Sequence, residues 1–218
     1  MHDNYYKAGQ MVVSFAGSVC AGKTTIARRL AHEQQITVIP EYMSLLVGEQ
    51  RVLFDRIGPE GRLACLLKID SQRNTLIHSS ATRIVLDRSV LCLFAFEYAM
   101  KAINTNYSNS YLRECLDSTH YLIPDKIIFF EVAEVVRRAR CKDRGGMMAE
   151  FLLQSDFNRY LKEFFEMMSK VVCTRFIDSS RDGFENIYEL VRGETLSEFN
   201  ILDSKDVYYS LRSIFAQW

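Results

Sequence analysis

The sequence predicts an α/β fold with a parallel sheet, and three observations favour it. Five short runs rich in Val, Ile and Phe are separated by long stretches with helical periodicity, which is typical of strands that alternate with helices. The motif G-x-x-x-x-G-K-[ST] lies at residues 17–24, between the first of these runs and a helical stretch. A chain of 218 residues with 48% hydrophobic content can bury one substantial core, and this length fits a single domain better than two.

The apolar runs give the predicted strands, and the periodic stretches give the predicted helices. We expect strands over residues 11–16, 36–40, 83–87, 126–132 and 174–178. We expect helices over residues 23–34, 60–81, 89–103, 108–120, 132–144, 148–172 and 182–192, and a further short amphipathic helix over 205–216. The pattern weakens after Gly193. The predicted domain therefore covers residues 1–192, and residues 193–218 are expected to form a helical appendage of that domain.

The composition of the chain indicates which kinds of ligand and which cellular compartment to expect. The formal net charge is zero, so no global basic field favours polymeric nucleic acid, and small ligands are expected. The six cysteines show no C-x-x-C spacing, which indicates buried free thiols in a reducing compartment. Residues 1–7 lack a signal-peptide pattern, and no apolar run approaches the roughly 18 residues of a membrane span. We therefore expect a cytoplasmic protein that does not enter a membrane.

The motif at residues 17–24 predicts a phosphate-binding loop. The backbone N–H groups of such a loop, with the positive end of the following helix, form a concavity suited to nucleotide phosphates. Lys23 is expected to reach the β- and γ-phosphates, and Thr24 is expected to ligate Mg²⁺. The alternative is a Gly-rich turn without a ligand. The candidate nucleotide-binding residues are Gly17, Ser18, Ala21, Gly22, Lys23, Thr24 and Thr25.

Charged residues stand at the ends of several predicted strands, where ligands bind in an open α/β sheet. Asp87 follows the third apolar run and is the candidate partner of Thr24 at a metal site. The alternative is an N-cap for the next helix. Arg88 can clamp an anionic or developing charge bidentately, or it is a solvated surface arginine.

Two residues at the end of the second strand are candidates for the acceptor side of the cleft. Glu41 follows Pro40, and a carboxylate there can accept the proton of an attacking hydroxyl or orient that hydroxyl for in-line transfer. The alternative is an N-cap or an exposed acid. Tyr42 can stack on a base, although aromatic residues at such positions are more often part of a core.

The predicted helix over 60–81 carries a further polar group. Gln72 and Arg73 offer an amide and a guanidinium, which can contact a nucleobase edge or a substrate phosphate. Asp70 lies one helical turn before Arg73, so these two residues can instead form an ordinary i,i+3 ion pair. The sequence leaves both interpretations open.

Residues 137–146 form the densest basic cluster of the chain, with four arginines followed by Gly145 and Gly146. Arginines on a mobile segment suit a lid that closes over a transferring phosphoryl group, excludes water and stabilises the developing charge. The alternative is a solvated helix C-terminus, where basic residues complement the helix dipole and a glycine ends the helix.

Taken in order, the loop at 17–25, Pro40-Glu41-Tyr42, Asp87-Arg88-Ser89 and the arginine-rich residues 137–146 resemble one group of P-loop phosphotransferases. This is the deoxynucleoside kinase and thymidylate kinase group, and the resemblance spans about residues 11–192. It implies a three-layer P-loop NTPase fold whose five-stranded parallel sheet has the order 2-3-1-4-5. It also implies a homodimer formed through the helices after strands two and three.

The resemblance implies roles for particular residues. Glu41 is expected to contact the acceptor hydroxyl or phosphate, and Arg88 is expected to stabilise the transferred phosphate. Arg140 and Arg144 are expected to belong to a lid that closes over ATP. Asp178, with the two serines that follow it, resembles the segment that passes the adenine of ATP.

The expected function is ATP- and Mg²⁺-dependent phosphoryl transfer to a nucleoside or a nucleoside monophosphate. One alternative is a kinase of a non-nucleotide small-molecule alcohol, because a fold does not fix its substrate. Another is a noncatalytic nucleotide-binding sensor. A GTPase is disfavoured because no Asn-Lys-x-Asp motif follows a late strand. The candidate catalytic residues are Lys23, Glu41, Arg88, Arg140 and Arg144.

Overall fold

Five parallel strands form the centre of the protein. The computed structural model describes residues 10–78, 82–117, 121–145, 148–197 and 204–216. The strands are β1 (Met11–Gly17), β2 (Thr37–Ile39), β3 (Arg83–Asp87), β4 (Lys126–Glu131) and β5 (Cys173–Asp178). They pair in the order β2-β3-β1-β4-β5, and every pairing is parallel. The predicted fold class and strand order are confirmed.

Helices connect the strands and cover both faces of the sheet. They are α1 (Lys23–Gln34), α2 (Tyr42–Leu45), α3 (Glu49–Arg56), α4 (Pro59–His78), α5 (Val90–Ile103), α6 (Tyr111–Asp117), α7 (Glu134–Asp143), α8 (Glu150–Leu153), α9 (Ser155–Met168), α10 (Phe184–Leu196) and α11 (Ser204–Phe215). The last residues of the predicted helices over 60–81 and 108–120 lie outside the described residues.

Two stretches differ from the predicted helices. The helix predicted over 148–172 is interrupted at Gln154, whose backbone is extended (φ −71°, ψ 146°). Asn158 stabilises this break, because its side-chain amide donates to the carbonyl oxygens of Leu152 (2.9 Å) and Gln154 (2.7 Å). Between β2 and α4, where no helix was predicted, the chain forms α2 and α3, separated by Gly48 with a φ of 55°.

The sheet residues alternate between two hydrophobic layers, as the two-residue period of a strand requires. Phe15 and Phe130 point to the side that packs against α1 and α10. Ala16 and Phe129 point to the other side, where α5 and α9 pack. The result is a three-layer arrangement in which the carboxyl ends of all five strands meet at one edge.

The end of the chain packs on the same core as the helices before it. Val207, Leu211 and Phe215 of α11 are buried in the layer that contains α5 and α9. Helix α10 continues to Leu196, beyond residue 192, where the sequence pattern predicted its end. Among the described residues, no helix combines the length and apolar character needed to cross a membrane.

Candidate functional site

The phosphate loop connects β1 to α1 at the carboxyl edge of the sheet. Gly17 has a φ of 105°, and a Cβ there would collide with the backbone of Phe130 on β4, so this position requires glycine. The backbone N–H of Ser18 donates to the Phe130 carbonyl (3.1 Å). Gly22, with a φ of 90°, precedes the first residue of α1. The unpaired N–H groups of the first turn of α1 therefore face the loop.

The other predicted loop residues differ in their exposure. Ser18 and Ala21 are buried, so a ligand in the loop would meet mainly their backbone. Thr25 is exposed in the first turn of α1. These positions are those of a loop that binds through its main chain.

Lys23 is turned into this loop and is only 5% exposed. Its Nζ donates to the carbonyl oxygens of Gly17 (3.2 Å) and Ser18 (2.5 Å). Burial and, to a smaller extent, the nearby charge of Arg88 together lower the pKa of Lys23 to about 7. A bound anion would raise this pKa again, because it stabilises the charged form of the amine.

Thr24 and Asp87 form the predicted pair between α1 and the end of β3. The Thr24 hydroxyl donates to Asp87 Oδ2 (2.6 Å). The second carboxylate oxygen, Oδ1, is buried and has no hydrogen-bond partner. A hydroxyl and a carboxylate with an unpaired oxygen match the ligands that Mg²⁺ takes beside nucleotide phosphates. These side chains therefore fit the expected metal.

Glu41 and Arg88 meet across the ends of β2 and β3. Arg88 Nε donates to Glu41 Oε2 (3.2 Å), and both side chains are partly exposed. The backbone of Arg88 is left-handed, with a φ of 73°, which is costly for a residue with a Cβ. Its N–H donates to the carbonyl of Phe15 on β1 (3.0 Å). The guanidinium thereby lies beside Glu41 at the end of β2.

A buried polar cluster of Tyr42, Asp70 and Arg73 lies behind Arg88. Arg73 is 1% exposed, and its Nη2 donates to the carbonyls of Arg88 (2.7 Å) and Asp87 (3.4 Å). Its guanidinium lies 4.2 Å above the ring of Tyr42, and the Tyr42 hydroxyl donates to Asp70 Oδ1 (2.6 Å). The i,i+3 ion pair with Asp70 is present at 3.6 Å. Arg73 therefore supports the strained turn at Arg88.

The cluster is incompletely paired. Asp70 Oδ2 and the Nε and Nη1 atoms of Arg73 are buried without a hydrogen-bond partner, and burial raises the pKa of Asp70. Tyr42 is buried as well, with one ring face covered by Arg73. Gln72, in contrast, is exposed on α4 and lies outside this cluster. Of the three candidates for contact with a nucleobase, the structure thus brings Tyr42 and Arg73 together and separates Gln72.

The arginines of the basic cluster have different positions on α7. Arg137 is buried and donates to the Ser18 hydroxyl (3.2 Å) and the Leu153 carbonyl (3.1 Å). Arg138 forms ion pairs with Glu134 and Glu150. Only Arg140 and Arg144 remain as candidates for contact with a nucleotide.

Arg140 connects the phosphate loop to the end of β5. Its Nη2 donates to the Ser179 carbonyl (2.8 Å), and its Nη1 donates to the Cys20 carbonyl (3.4 Å). Arg144 is exposed directly after α7, and its charge acts on the Cys20 thiol. Gly146, the last residue of the predicted cluster, lies outside the described residues.

Asp178 ends β5 and is exposed. Its Oδ1 accepts a hydrogen bond from the N–H of Ser180 (2.8 Å), and its carboxylate pairs with Arg181 at 3.6 Å. Asp178 thereby shapes the turn that presents the Ser179 carbonyl to Arg140. Sequence reasoning missed this use of Ser179 and the Arg137 contact with Ser18, because both join positions more than 35 residues apart and have no local signal.

This geometry defines a P-loop protein, with a glycine-rich turn, a buried lysine and a Thr–Asp pair at the carboxyl edge of a parallel sheet. Residues 12–159 match the profile of a family described as an AAA domain. This match spans more than half of the chain, and the protein belongs to that family. No curated protein matches the sequence significantly.

Solved kinase structures share the fold. A deoxyadenosine kinase from M. mycoides, solved with dCMP and a flexible dCDP, matches with a TM-score of 0.70 at 18% identity, over 84% of this chain and 98% of that chain. The same kinase with dATP gives a TM-score of 0.68 at 17% identity, over 86% and 100%. A thymidylate kinase from Candida albicans gives 0.61 at 15%, over 89% and 97%. The chain therefore has the fold of nucleoside and nucleotide kinases.

Proposed function

We propose that this protein is an ATP- and Mg²⁺-dependent phosphotransferase that phosphorylates a nucleoside or a nucleoside monophosphate. The observation that carries the proposal is the position of Asp87 and Arg88, which are neighbours at the end of β3. Asp87 pairs with Thr24 of the phosphate loop (2.6 Å), whereas Arg88 pairs with Glu41 at the end of β2 (3.2 Å). A donor phosphate on the loop and an acceptor hydroxyl beside Glu41 would therefore meet at one strand end.

On the donor side, the loop amides and Lys23 bind the phosphates of ATP. Lys23 exchanges its bonds to the Gly17 and Ser18 carbonyls for phosphate oxygens, and the anion keeps the amine protonated. Thr24 and Asp87 are the residues that would hold Mg²⁺, which neutralises charge on the β- and γ-phosphates when bound.

On the acceptor side, Glu41 orients the attacking group and, when that group is a nucleoside hydroxyl, accepts its proton. The attacking oxygen, of the hydroxyl or of the monophosphate, forms a bond to the γ-phosphorus, and the bond from that phosphorus to the leaving oxygen of ADP breaks. Arg88 stabilises the negative charge that spreads over the transferring group. The single Nε contact between Arg88 and Glu41 leaves the rest of the guanidinium for this role.

Arg140 and Arg144 close the donor side. Arg140 already spans the loop and the β5 end through the Cys20 and Ser179 carbonyls, so a small movement brings its guanidinium to the phosphates. The turn at Asp178 borders the adenine. This assignment is supported by the contacts of Arg140, which join α7 both to the phosphate loop and to the residue that follows β5.

We assign Tyr42, Gln72 and Arg73 to the acceptor side. Gln72 is exposed on α4 and is available to a base edge, whereas Tyr42 and Arg73 are buried and would support the site from behind. Deoxynucleotides occupy the deoxyadenosine kinase structures that share this fold, and this supports a nucleoside or nucleotide acceptor.

We also propose a cytoplasmic homodimer. None of the six cysteines, all of which lie within the described residues, forms a disulfide, which suits a reducing compartment. Val52 and Leu53 of α3 expose large apolar side chains on one of the helices between β2 and β3, where a partner would bury them. Sedimentation equilibrium tests the dimer, and a mass of one chain at all concentrations would contradict it.

The test of the proposed function is a panel of nucleosides and nucleoside monophosphates incubated with the protein and MgATP, with ADP formation measured. We expect at least one acceptor to stimulate ADP formation and a metal chelator to abolish it. Lys23→Ala should remove the stimulated rate, whereas Lys170→Ala, at an exposed lysine after α9, should leave it unchanged. Tight ATP binding without turnover on any acceptor would indicate a sensor instead, and turnover only with an unrelated alcohol would contradict the acceptor class.

A further inference from the structure

Two cysteines from distant parts of the sequence meet at the phosphate loop. Cys20 lies within the loop and Cys141 lies on α7. Each residue is 5% exposed, and together with Leu153 they form a small separate apolar cluster. The two side chains belong to one buried contact, and the Cys141 thiol helps to raise the pKa of Cys20. A disulfide requires two cysteines whose side chains are already neighbours, and this pair meets that requirement.

The same face of α7 already rests on the loop through two arginines. Arg137, Arg140 and Cys141 are spaced i, i+3 and i+4, so they share one helix face. Arg137 donates to the Ser18 hydroxyl (3.2 Å) and Arg140 to the Cys20 carbonyl (3.4 Å). These contacts keep the two thiols opposite each other without any covalent link.

Cys20 is also a position where a change in the side chain affects the loop backbone directly. Its φ is 57°, a left-handed conformation that is strained for a residue with a Cβ. The next residues, Ala21 and Gly22, lead into Lys23. A bond that pulls on the Cys20 sulfur would therefore alter the geometry with which the loop amides receive a phosphate.

We propose that Cys20 and Cys141 form an oxidation site, at which a peroxide closes a disulfide between the phosphate loop and α7. One thiolate attacks a peroxide oxygen, which breaks the O–O bond of hydrogen peroxide, yields a sulfenic acid and releases water after protonation. The second thiolate attacks the sulfenic sulfur, forms the S–S bond and releases a second water. Two thiols are oxidised and one peroxide is reduced to two waters.

The two thiols are protected from oxidation while α7 rests on the phosphate loop. Burial raises the pKa of the Cys20 thiol, and Cys141 adds to the increase, while the charges of Arg144 and Lys23 oppose it. The thiolate is the reactive form. The pair therefore stays reduced at low peroxide concentration, and oxidation proceeds when the peroxide concentration rises.

The consequence of the disulfide rests on the proposed function. The bond fixes α7 on the loop, so Arg140 stays on the Cys20 and Ser179 carbonyls and cannot move to the phosphates. It also displaces the Cys20 backbone. Oxidation should therefore switch off nucleotide binding and phosphoryl transfer together, and reduction should restore both.

The experiment compares the full protein before and after hydrogen peroxide, with two variants. Peptide mapping by mass spectrometry locates disulfides, and the increase in melting temperature caused by MgATP measures nucleotide binding. Cys141→Ser removes one partner. Cys173→Ser is the matched control, because Cys173 lies at the start of β5, at the opposite edge of the sheet from the loop.

We expect a Cys20–Cys141 linkage and at least about a tenfold weaker MgATP binding in the oxidised protein, both reversed by dithiothreitol. Cys173→Ser should behave in the same way. Cys141→Ser should form no such linkage and keep its MgATP-dependent stabilisation. The proposal is overturned if no Cys20–Cys141 peptide forms, or if the peptide forms and MgATP binding is unchanged. Failure of the reduced protein to bind MgATP would instead contradict the proposed function, and the mapped linkage would still be measurable.

Discussion

The phosphate loop, on the proposed donor side, and the proposed acceptor side are assembled in different ways. The loop is built on contiguous residues, in which Gly17, Gly22 and Lys23 adopt their positions because a strand, a tight loop and a helix follow one another. The acceptor side is built on contacts between separate elements. Glu41 comes from the β2 end, Arg88 from the β3 end, and their support from α4.

Because of this difference, the two sides are expected to contribute separately to the proposed reaction. Binding of phosphate depends on a local backbone conformation, which glycines make possible. Alignment of the acceptor depends on a strained residue, Arg88, whose left-handed backbone is held by Arg73 and Phe15. Changes on the donor side should therefore affect nucleotide binding and turnover together, whereas changes on the acceptor side should affect turnover with ATP binding preserved.

We expect the largest effect on activity from a substitution of Asp87, which lies between the proposed donor and acceptor sides. Asp87→Asn removes the carboxylate charge beside Thr24 and weakens the site that fits Mg²⁺. We expect kcat to fall roughly 10³-fold and the Mg²⁺ concentration needed for half-maximal rate to rise. Steady-state kinetics with a Mg²⁺ titration measures both. Asp182→Asn, at an exposed position, is the control, and equal rates in the two variants would remove Asp87 from the account.

Glu41→Gln tests the acceptor side alone. The variant keeps the size of the side chain but cannot accept the hydroxyl proton, so we expect kcat to fall about 10²-fold. The affinity for ATP should stay within a factor of about two, because Glu41 makes no contact with the phosphate loop in the described hydrogen bonds. Isothermal titration with ATP and acceptor kinetics check the two statements. A parallel loss of ATP affinity would show that the two sides are not separable.

Arg73→Met tests the support behind Arg88. The variant leaves the Arg88 carbonyl without its 2.7 Å donor and removes the cationic partner of the buried Asp70. We expect the free energy of unfolding in urea to fall by about 3 kcal/mol, and kcat of the remaining folded protein to fall about tenfold as the Arg88 turn relaxes. Arg56→Met, on the exposed side of α3, should change neither. Normal stability of Arg73→Met would contradict the role of the buried cluster.

The smallest expected effect is a pH dependence confined to the donor side. The pKa of Lys23 is about 7 in the free protein, and phosphates beside the amine raise it. Above pH 7, ATP binding must therefore take up a proton, so the affinity should fall as pH rises, by at most about tenfold per pH unit. Calorimetry in buffers of different ionisation enthalpy measures the uptake. Lys23→Arg, which stays charged, should show no uptake, and the acceptor KM should not follow this profile.

The fold, the phosphate loop and its partner Asp87 could largely be predicted from the sequence. The strands β1, β3 and β4 are mostly buried apolar runs, β2 and β5 are shorter or partly exposed ones, and the loop motif is contiguous, so both have local signals. Asp87 could be predicted as the partner of Thr24 because parallel strands end at one edge. The break at Gln154 could not, since it depends on a tertiary arrangement in which Asn158 pairs with two backbone carbonyls.

The acceptor side could be predicted only in part. Glu41 and Arg88 have the signal of charge at a strand end. The burial of Arg73 depends on α2, a helix of a single turn without a periodic pattern, which brings Tyr42 against α4.

The sequence of the basic cluster could not show which of its arginines faces the phosphate loop. The burial of Arg137 is set by contacts with α8 and Ser18, which are distant in the sequence.

The most direct test of the central claim is identification of the product. The protein is incubated with ATP labelled in its γ-phosphoryl group, Mg²⁺ and the acceptor that best stimulates ADP formation, and the products are analysed by mass spectrometry. We predict one labelled phosphoryl group on the nucleoside or nucleoside monophosphate and an equal amount of ADP, and neither product with Lys23→Ala. Labelled inorganic phosphate with an unmodified acceptor would contradict phosphoryl transfer between the two sides of this cleft.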